Sequence, residues 1–332
     1  MELFIGVAYN RKFNIDNNIR VKFTNSGHML GSSVVSLEIN ENGRQYKIGF
    51  TGDIGRPSNR ILKSPEPFQQ CDYLIAESTY GNRLHPQMQE AEGELLKVVK
   101  WTCVEKQGKL IIPSFAIGRT QEVVYSLNKF FNSGELPKVS VFVDSPLAVN
   151  ATEIFRMHTD NLNGDVQRVM EYDPDPFGFK SLKYITKVQD SKKLNKIKKP
   201  CIIISASGMM EAGRIKHHLA NNISDPRNTV LAVGYCSPIT LGARILRGDR
   251  VVSIFGEQHE VNADVERIEA FSGHGDFNEM IDYISCQDKN RLKKIFLVHG
   301  DGEALEFYKG KLEEAGFANI EIPEQGEEFV LN

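Results

Sequence analysis

Five residues spread over almost the whole chain have the types and surroundings that metal binding and proton transfer require. They are His28 in "NSGHMLGSS", Asp53 in "YKIGFTGD", Glu77 in "YLIAES", His274 in "FSGHGD" and His299 in "KIFLVHGD". Asp53, Glu77 and His299 each close a short apolar run of strand character. In open α/β sheets, groups at the carboxyl ends of strands converge on one crevice. His28 and His274 stand among glycines and serines, small neighbours that let a ligand or metal approach the backbone. Histidines together with carboxylates are the ingredients of a hydrolytic zinc site, with imidazoles and a bridging carboxylate holding the metal and one position left for water. Taken singly, each of these histidines is equally well explained by a hydrogen-bonded structural role. For His85, His158, His217 and His218 the structural role is the preferred reading. The set carries the signal.

The elements that must position these groups are legible from periodicity. "IRVKFTN", "SVVSLEI", "QYKIGFTG" and "DYLIAES" read as strands, so the opening quarter is mostly β. Beyond it, "EAEGELLKVVKWTCVE" and "RTQEVVYSLNKFF" have helical spacing and alternate with strand-like "GKLIIPS", "KVSVFVD", "PCIIISA" and "NTVLAVG". This alternation predicts a parallel, doubly wound sheet over residues 82–255, inserted into a domain made of residues 1–81 and 256–332. The last helix, "EALEFYKGKLEEAG", ends on Gly316 as its C-terminal cap.

Composition narrows the class. With 332 residues, 41% of them hydrophobic and 25% charged, the chain is expected to be a soluble globular protein of about two domains, without a signal or membrane segment, in the cytoplasm. Five cysteines, an odd number without a C-x-x-C pair, are expected to be reduced and mostly buried. A net charge of −3 does not advertise a nucleic-acid binder, so any such role must rest on a local patch. The one candidate run, "KSLKYITKVQDSKKLNKIKK", is read first as a solvated helix face.

The ordered set "SGHMLGSS", "FTGDIG", "IAESTYG", "FSGHGD" and "FLVHGD", with "LIIPSFAIGRTQEVVYSL", "VFVDSPLA", "ISASGMMEAGRIKHHL", "SDPRN" and "GYCSPITLGARIL" between them, resembles the β-CASP branch of the metallo-β-lactamase superfamily, the RNA- and DNA-processing nucleases. The resemblance covers essentially the whole chain. It implies an α/β fold: a partial metallo-β-lactamase αββα sandwich with an inserted doubly wound parallel-sheet β-CASP domain. It also implies that His28 and His299 are zinc ligands and that Asp53 bridges two zinc ions. His274 would be the general acid, with Glu77 holding its imidazole in the right tautomer and keeping it protonated. Histidine at 299 favours RNA over DNA as substrate.

The family's first motif, H-x-H-x-D-H, has no counterpart in residues 1–27. The chain is therefore expected to be a fragment of a longer nuclease, weak in zinc binding and with little activity alone. An apolar sheet face left uncovered would favour association, for instance as a homodimer.

For the RNA grip, "PSFAIGRTQE" and "ISASGMMEAGR" lead from strand through a small-residue loop to a helix, which points backbone N–H groups at anions. Ser114, Arg119, Ser207, Gly208, Arg214 and Ser272 are the candidate phosphate contacts, although glycines that merely allow close helix packing explain the same loops as well. The expected function is a zinc-dependent phosphodiesterase acting on single-stranded RNA as endo- or 5′-exoribonuclease. The alternatives are a catalytically silent RNA-binding or scaffold paralogue, and a small-molecule zinc hydrolase of the same superfamily.

Overall fold

The computed structural model describes residues 4–85, 88–268 and 271–332. The first stretch carries strands β1 (Lys12–Asn14), β2 (Ile19–Asn25), β3 (Ser33–Glu41), β4 (Arg44–Phe50) and β5 (Tyr73–Glu77). Helix α1 (Met88–Lys100) continues into a π turn, Trp101–Glu105, and strands and helices then alternate. These are β6 (Lys109–Pro113), α2 (Arg119–Asn132), β7 (Ser140–Val143), α3 (Pro146–Met157), α4 (Gly164–Met170) and β8 (Leu182–Tyr184), then α5 (Val188–Lys196), β9 (Cys201–Ser205), α6 (Arg214–Asn222) and β10 (Thr229–Ala232). After α7 (Leu241–Leu246) come the hairpin β11 (Val251–Ile254) and β12 (Glu257–Glu260), and β13 (Asp264–Arg267). The chain ends through α8 (Phe277–Ile284), β14 (Lys294–Val298), α9 (Gly302–Glu314) and β15 (Ile320–Glu321). Among the described residues no helix is long and apolar enough to cross a membrane.

The chain divides into two compact units, residues 1–84 with 273–332, and residues 85–272. The second unit runs past residue 255, where the sequence pattern ends the insertion, because β13 pairs in parallel with β10 and thereby completes the second sheet. "DVER" has too little apolar character to announce itself as a strand.

In the first unit a seven-stranded sheet has the order β1-β2-β3-β4-β5-β14-β15. The β1–β4 strands form an antiparallel meander, whereas β4, β5, β14 and β15 run parallel to one another. The parallel pairing of β5 with β14, Glu77 opposite Val298, brings the ends of two strands more than 200 residues apart to one edge. Leu74, Ala76, Ile295 and Leu297 are buried with Met280 and Ile284 of α8 and Leu312 of α9. Burial of each large apolar side chain of this kind contributes about 1.5–3 kcal/mol.

The second unit holds a six-stranded sheet, β13-β10-β6-β9-β7-β8, parallel throughout. Every residue of β6 and β9 is buried, as a sheet covered by helices on both faces requires. Ile111, Ile203 and Val230 pack with Ile215 and Leu219 of α6 and with Ile245 of α7. The expected strands and the two quoted helices of the middle segment all form. Gly316 has a φ of 86°, the left-handed conformation of a C-terminal cap. All five cysteines are free; Cys71, Cys103 and Cys201 are buried, which pushes the first two thiols up to about 12 and the third up to about 11.

Backbone approach fixes the loops of the first unit. The Gly55 N–H donates to the Ser26 carbonyl at 2.7 Å, and the Gly275 N–H donates to the Ile54 carbonyl at 2.9 Å. A Cβ at Gly55 would stand 2.0 Å from the carbonyl carbon of Gly27. Gly55→Ala should therefore lower stability by about 2 kcal/mol or more, read as a reduced urea midpoint. A midpoint equal to that of the parent would show that the loops are not held at this distance.

Candidate functional site

The loops after β2, β4, β5 and β14 and the turn before α8 carry the five singled-out residues of the first unit. The Ser32 hydroxyl shapes the first loop by accepting from the N–H of His28 at 3.1 Å and of Met29 at 3.0 Å. Gly27, at φ +69°, turns the chain against Pro65, where any side chain would collide. The last loop turns at His299 itself, whose φ is 56°, and Gly300 lets it close over the Ser78 carbonyl.

Asp53 stands between two imidazoles. One carboxylate oxygen lies 3.7 Å from His28 Nε2 and the other 3.5 Å from His299 Nδ1. His28 is largely buried, and His299 is 61% exposed. Burial, and then the neighbouring His274, hold His28 below the ordinary imidazole value against the pull of Asp53 and Glu77. The neutral ring is the form that ligates a metal.

Glu77, 2% exposed at its side chain, is the most buried acid of the group. Its Oε2 lies 3.0 Å from His274 Nδ1 and accepts from the Thr79 hydroxyl at 2.6 Å, while Oε1 accepts from the Ile54 N–H. Burial alone would raise this carboxyl. The bond and charge of His274, with Thr79 and Ile54, outweigh burial and hold it low, so it stays ionised. Nδ1 of His274 is thus assigned to Glu77, which leaves Nε2 outside this pair. The rings of His28 and His274 lie 4.4 Å apart, and Tyr80 stacks on His274 at 6.0 Å.

Two overlapping sets, His28, Asp53 and His274, and Asp53, Glu77 and His299, each bring ligand atoms within 4.8 Å of one another. Imidazoles on opposite oxygens of one carboxylate suit zinc, and the donors fit that ion. Thr79 escaped the sequence reading. Its hydroxyl joins Glu77 to His299, 2.9 Å from His299 Nδ1, and only its position two residues after Glu77 hinted at this.

The candidate phosphate contacts fare differently. Ser114 and Ser272 are 0% and 5% exposed, so neither presents its hydroxyl to a ligand arriving from solvent. Arg119 is buried and bonded to Glu122 within α2. Arg214 donates to Asp144 at 2.6 Å and to the carbonyls of Ile185 and Thr186. Arg119, Arg214 and Ser114 act inside the second unit, where Glu122, Asp144 and the Thr120 hydroxyl are their buried partners. Ser207 and Gly208 stay half-exposed, and the Ser207 hydroxyl accepts from the Ala212 N–H. Phe115, which follows β6, packs against Gly208 and is 41% exposed; it is the one aromatic this rim offers for stacking among the residues named.

Asp144, fully buried after β7, gathers Arg214, Ser191 and His218, the last at 2.7 Å. Burial would raise its carboxyl, but bonds from His218, Ser191 and Arg214 hold it below the free value of 3.8. A lowered folded value stabilises above the unfolded one, so this contribution is complete above pH 3.8 and is lost as the pH falls below it. Asp144→Asn should flatten that acid limb of the unfolding free energy, measured by denaturant titration at successive pH values. Arg214→Ala should cost about 3 kcal/mol of stability, since it strands a buried carboxylate. A variant that loses only RNA affinity would restore Arg214 as a ligand contact.

Two family models match the chain, the Beta-Casp domain over residues 120–245 and the Zn-dependent metallo-hydrolase RNA specificity domain over residues 258–323. An RNase J-like protein of Methanocaldococcus jannaschii is 35% identical over 304 residues, covering 91% of this chain and 68% of that protein. Ribonuclease TTHA0252 of Thermus thermophilus is 31% identical over 287 residues, 86% of this chain and 64% of its own length. Transcription termination factor FttA of Methanosarcina mazei is 31% identical over 332 residues, 96% of this chain and 51% of its own. The chain thus spans from about half to about two thirds of the length of these relatives.

Proposed function

We propose that this chain, which belongs to the β-CASP branch of the metallo-β-lactamase superfamily of RNA-processing nucleases, carries the proton-donating and metal-bridging part of a zinc-dependent single-stranded-RNA phosphodiesterase site. The observation that carries the reading is the pairing of His274 Nδ1 with the buried, ionised Glu77 beside a carboxylate flanked by two histidines. A buried carboxylate behind an imidazole fixes its tautomer and favours its protonated form.

His28 and His299 would each hold one ion and Asp53 would touch both. Zinc, when bound, supplies a water activated at neutral pH and neutralises charge on the scissile phosphate. His274 then delivers a proton from Nε2 to the leaving ribose oxygen, which leaves a 5′-phosphate on the downstream product. Glu77 is a positioning residue that keeps Nε2 aimed, and Thr79 keeps Glu77 and His299 in register. The half-exposed Ser207 and Gly208, with Phe115, are the proposed RNA contacts of the second unit. They grip backbone and base faces rather than read sequence.

The relatives named as ribonucleases and as a transcription termination factor support RNA as the substrate class. A single-stranded RNA cleavage assay on a longer form that includes an H-x-H-x-D-H segment tests this. His274→Ala should slow cleavage by about 10² to 10⁴ with zinc content unchanged. Equal rates for variant and parent would refute the acid assignment. Asp53→Asn should weaken zinc binding by the present chain by about 10- to 100-fold in a chelator competition. Unchanged affinity would show that Asp53 does not touch the metal.

A further inference from the structure

The lysine-rich segment 180–199 is not used by the centre just described, and its end leads to a second feature. All eight of its lysines are exposed, and its last turn, Asn195–Lys198, forms one wall of a cavity of about 370 Å³. The opposite walls come from residues 107–109 and 221–228. These segments precede β6, β9 and β10, so the cavity lies at the amino ends of the strands of the second unit. Ser207 and Gly208 lie at the other end.

Lys109, the first residue of β6, is 9% exposed and lines this cavity. Its ammonium donates to the Asn195 carbonyl at 3.2 Å and to Asn222 Oδ1 at 2.9 Å. Both partners are neutral. Its third N–H has no protein acceptor among the described residues. Burial lowers its affinity for the proton, as expected of a cation short of a counter-charge. Asp225, on the same wall, is spent in a two-pronged pair with Arg227. Lys109, Lys196 and Lys198 are therefore a surplus of three positive charges around a concave space. Asn195, Asn222 and Asn228 are tied into a network that holds Lys109 in place: Asn228 accepts from the Lys109 backbone N–H at 2.8 Å and donates to the Asn222 carbonyl, and Asn222 donates to Asn195. The volume lies within the usual range of small-ligand sites, roughly 300–1,000 Å³.

We propose that this cavity binds a compact phosphorylated anion, of the size of pyrophosphate or a nucleoside monophosphate, and that Lys109 is its buried counter-charge. A phosphate group supplies several acceptor oxygens and two or more charges, which match three ammonium groups. A concave space of this size matches a free small molecule, whereas a continuous RNA backbone needs an extended track.

The test is calorimetric titration of the full chain, freed of metal, with pyrophosphate, AMP, citrate and a single-stranded RNA dodecamer. Pyrophosphate or AMP should bind. Lys196→Glu/Lys198→Glu, both on the exposed wall, should weaken that binding about tenfold or more, since two of the three ammonium groups give way to carboxylates. Lys109→Met should abolish the rise in thermal midpoint that pyrophosphate gives the parent, without lowering the midpoint of the free protein. His28→Ala/His299→Ala should leave the affinity unchanged, which separates this site from the histidine cluster of the first unit. No binding of either phosphate at millimolar concentration, or affinity that survives the double lysine variant, overturns the proposal. So does citrate binding as well as pyrophosphate, or the RNA dodecamer being the sole ligand weakened by the lysine substitutions.

Discussion

A carboxylate taken out of water must find its partners inside the protein, and in the first unit that carboxylate is Glu77. Its two oxygens collect the His274 ring, the Thr79 hydroxyl and the Ile54 N–H. Each bond fixes a different loop: Ile54 belongs to the one that carries Asp53, Thr79 reaches His299, and His274 sits in the turn before α8. These bonds add to the backbone contacts of Gly55 with Ser26 and of Gly275 with Ile54, which tie the same loops together. Burial of one charge thus helps to hold the candidate groups together, and the same pairing orients the His274 ring through Nδ1.

The second unit shows the same principle in a structural use. Asp144 is fully buried and is answered by Arg214, Ser191 and His218. His218 Nδ1 lies 2.9 Å from Asn195, which connects in turn to Asn222 and Lys109. One chain of polar side chains therefore runs through the parallel sheet domain. At one end it begins with a carboxylate fully supplied with donors. At the other it ends on an ammonium whose acceptors are neutral.

Hydrophobic periodicity made the larger elements legible. "PCIIISA" and "GKLIIPS" read as strands, and the helices "EAEGELLKVVKWTCVE" and "RTQEVVYSLNKFF" followed from 3.6-residue spacing, whereas α3 and α4 did not. Strands such as β8, β12 and β13 were invisible because pairing at a sheet edge or in a hairpin is a property of the neighbour, not of a three- or four-residue sequence. The catalytic candidates were legible for a related reason: "SGHGD" and "SGHMLGSS" set histidine in loops rich in glycine and serine. The arginines were not. Arg119 and Arg214 stand where a phosphate contact would stand in sequence; the i,i+3 spacing to Glu122 was a local sign for Arg119, but nothing local says that Asp144, 70 residues earlier, has already claimed Arg214.

The sequence by itself determined the class of chemistry, since residue type and loop setting marked His28, Asp53, Glu77, His274 and His299 before any fold was known. Distance belongs to the tertiary structure alone. The parallel pairing of β5 with β14 set Glu77 near His299, and the backbone contact of Gly55 with the loop of His28 set Asp53 between two imidazoles. The physical reason is that hydrogen-bond geometry and burial depend on which groups share a volume, and shared volume is decided by sheet order across more than 200 residues of chain.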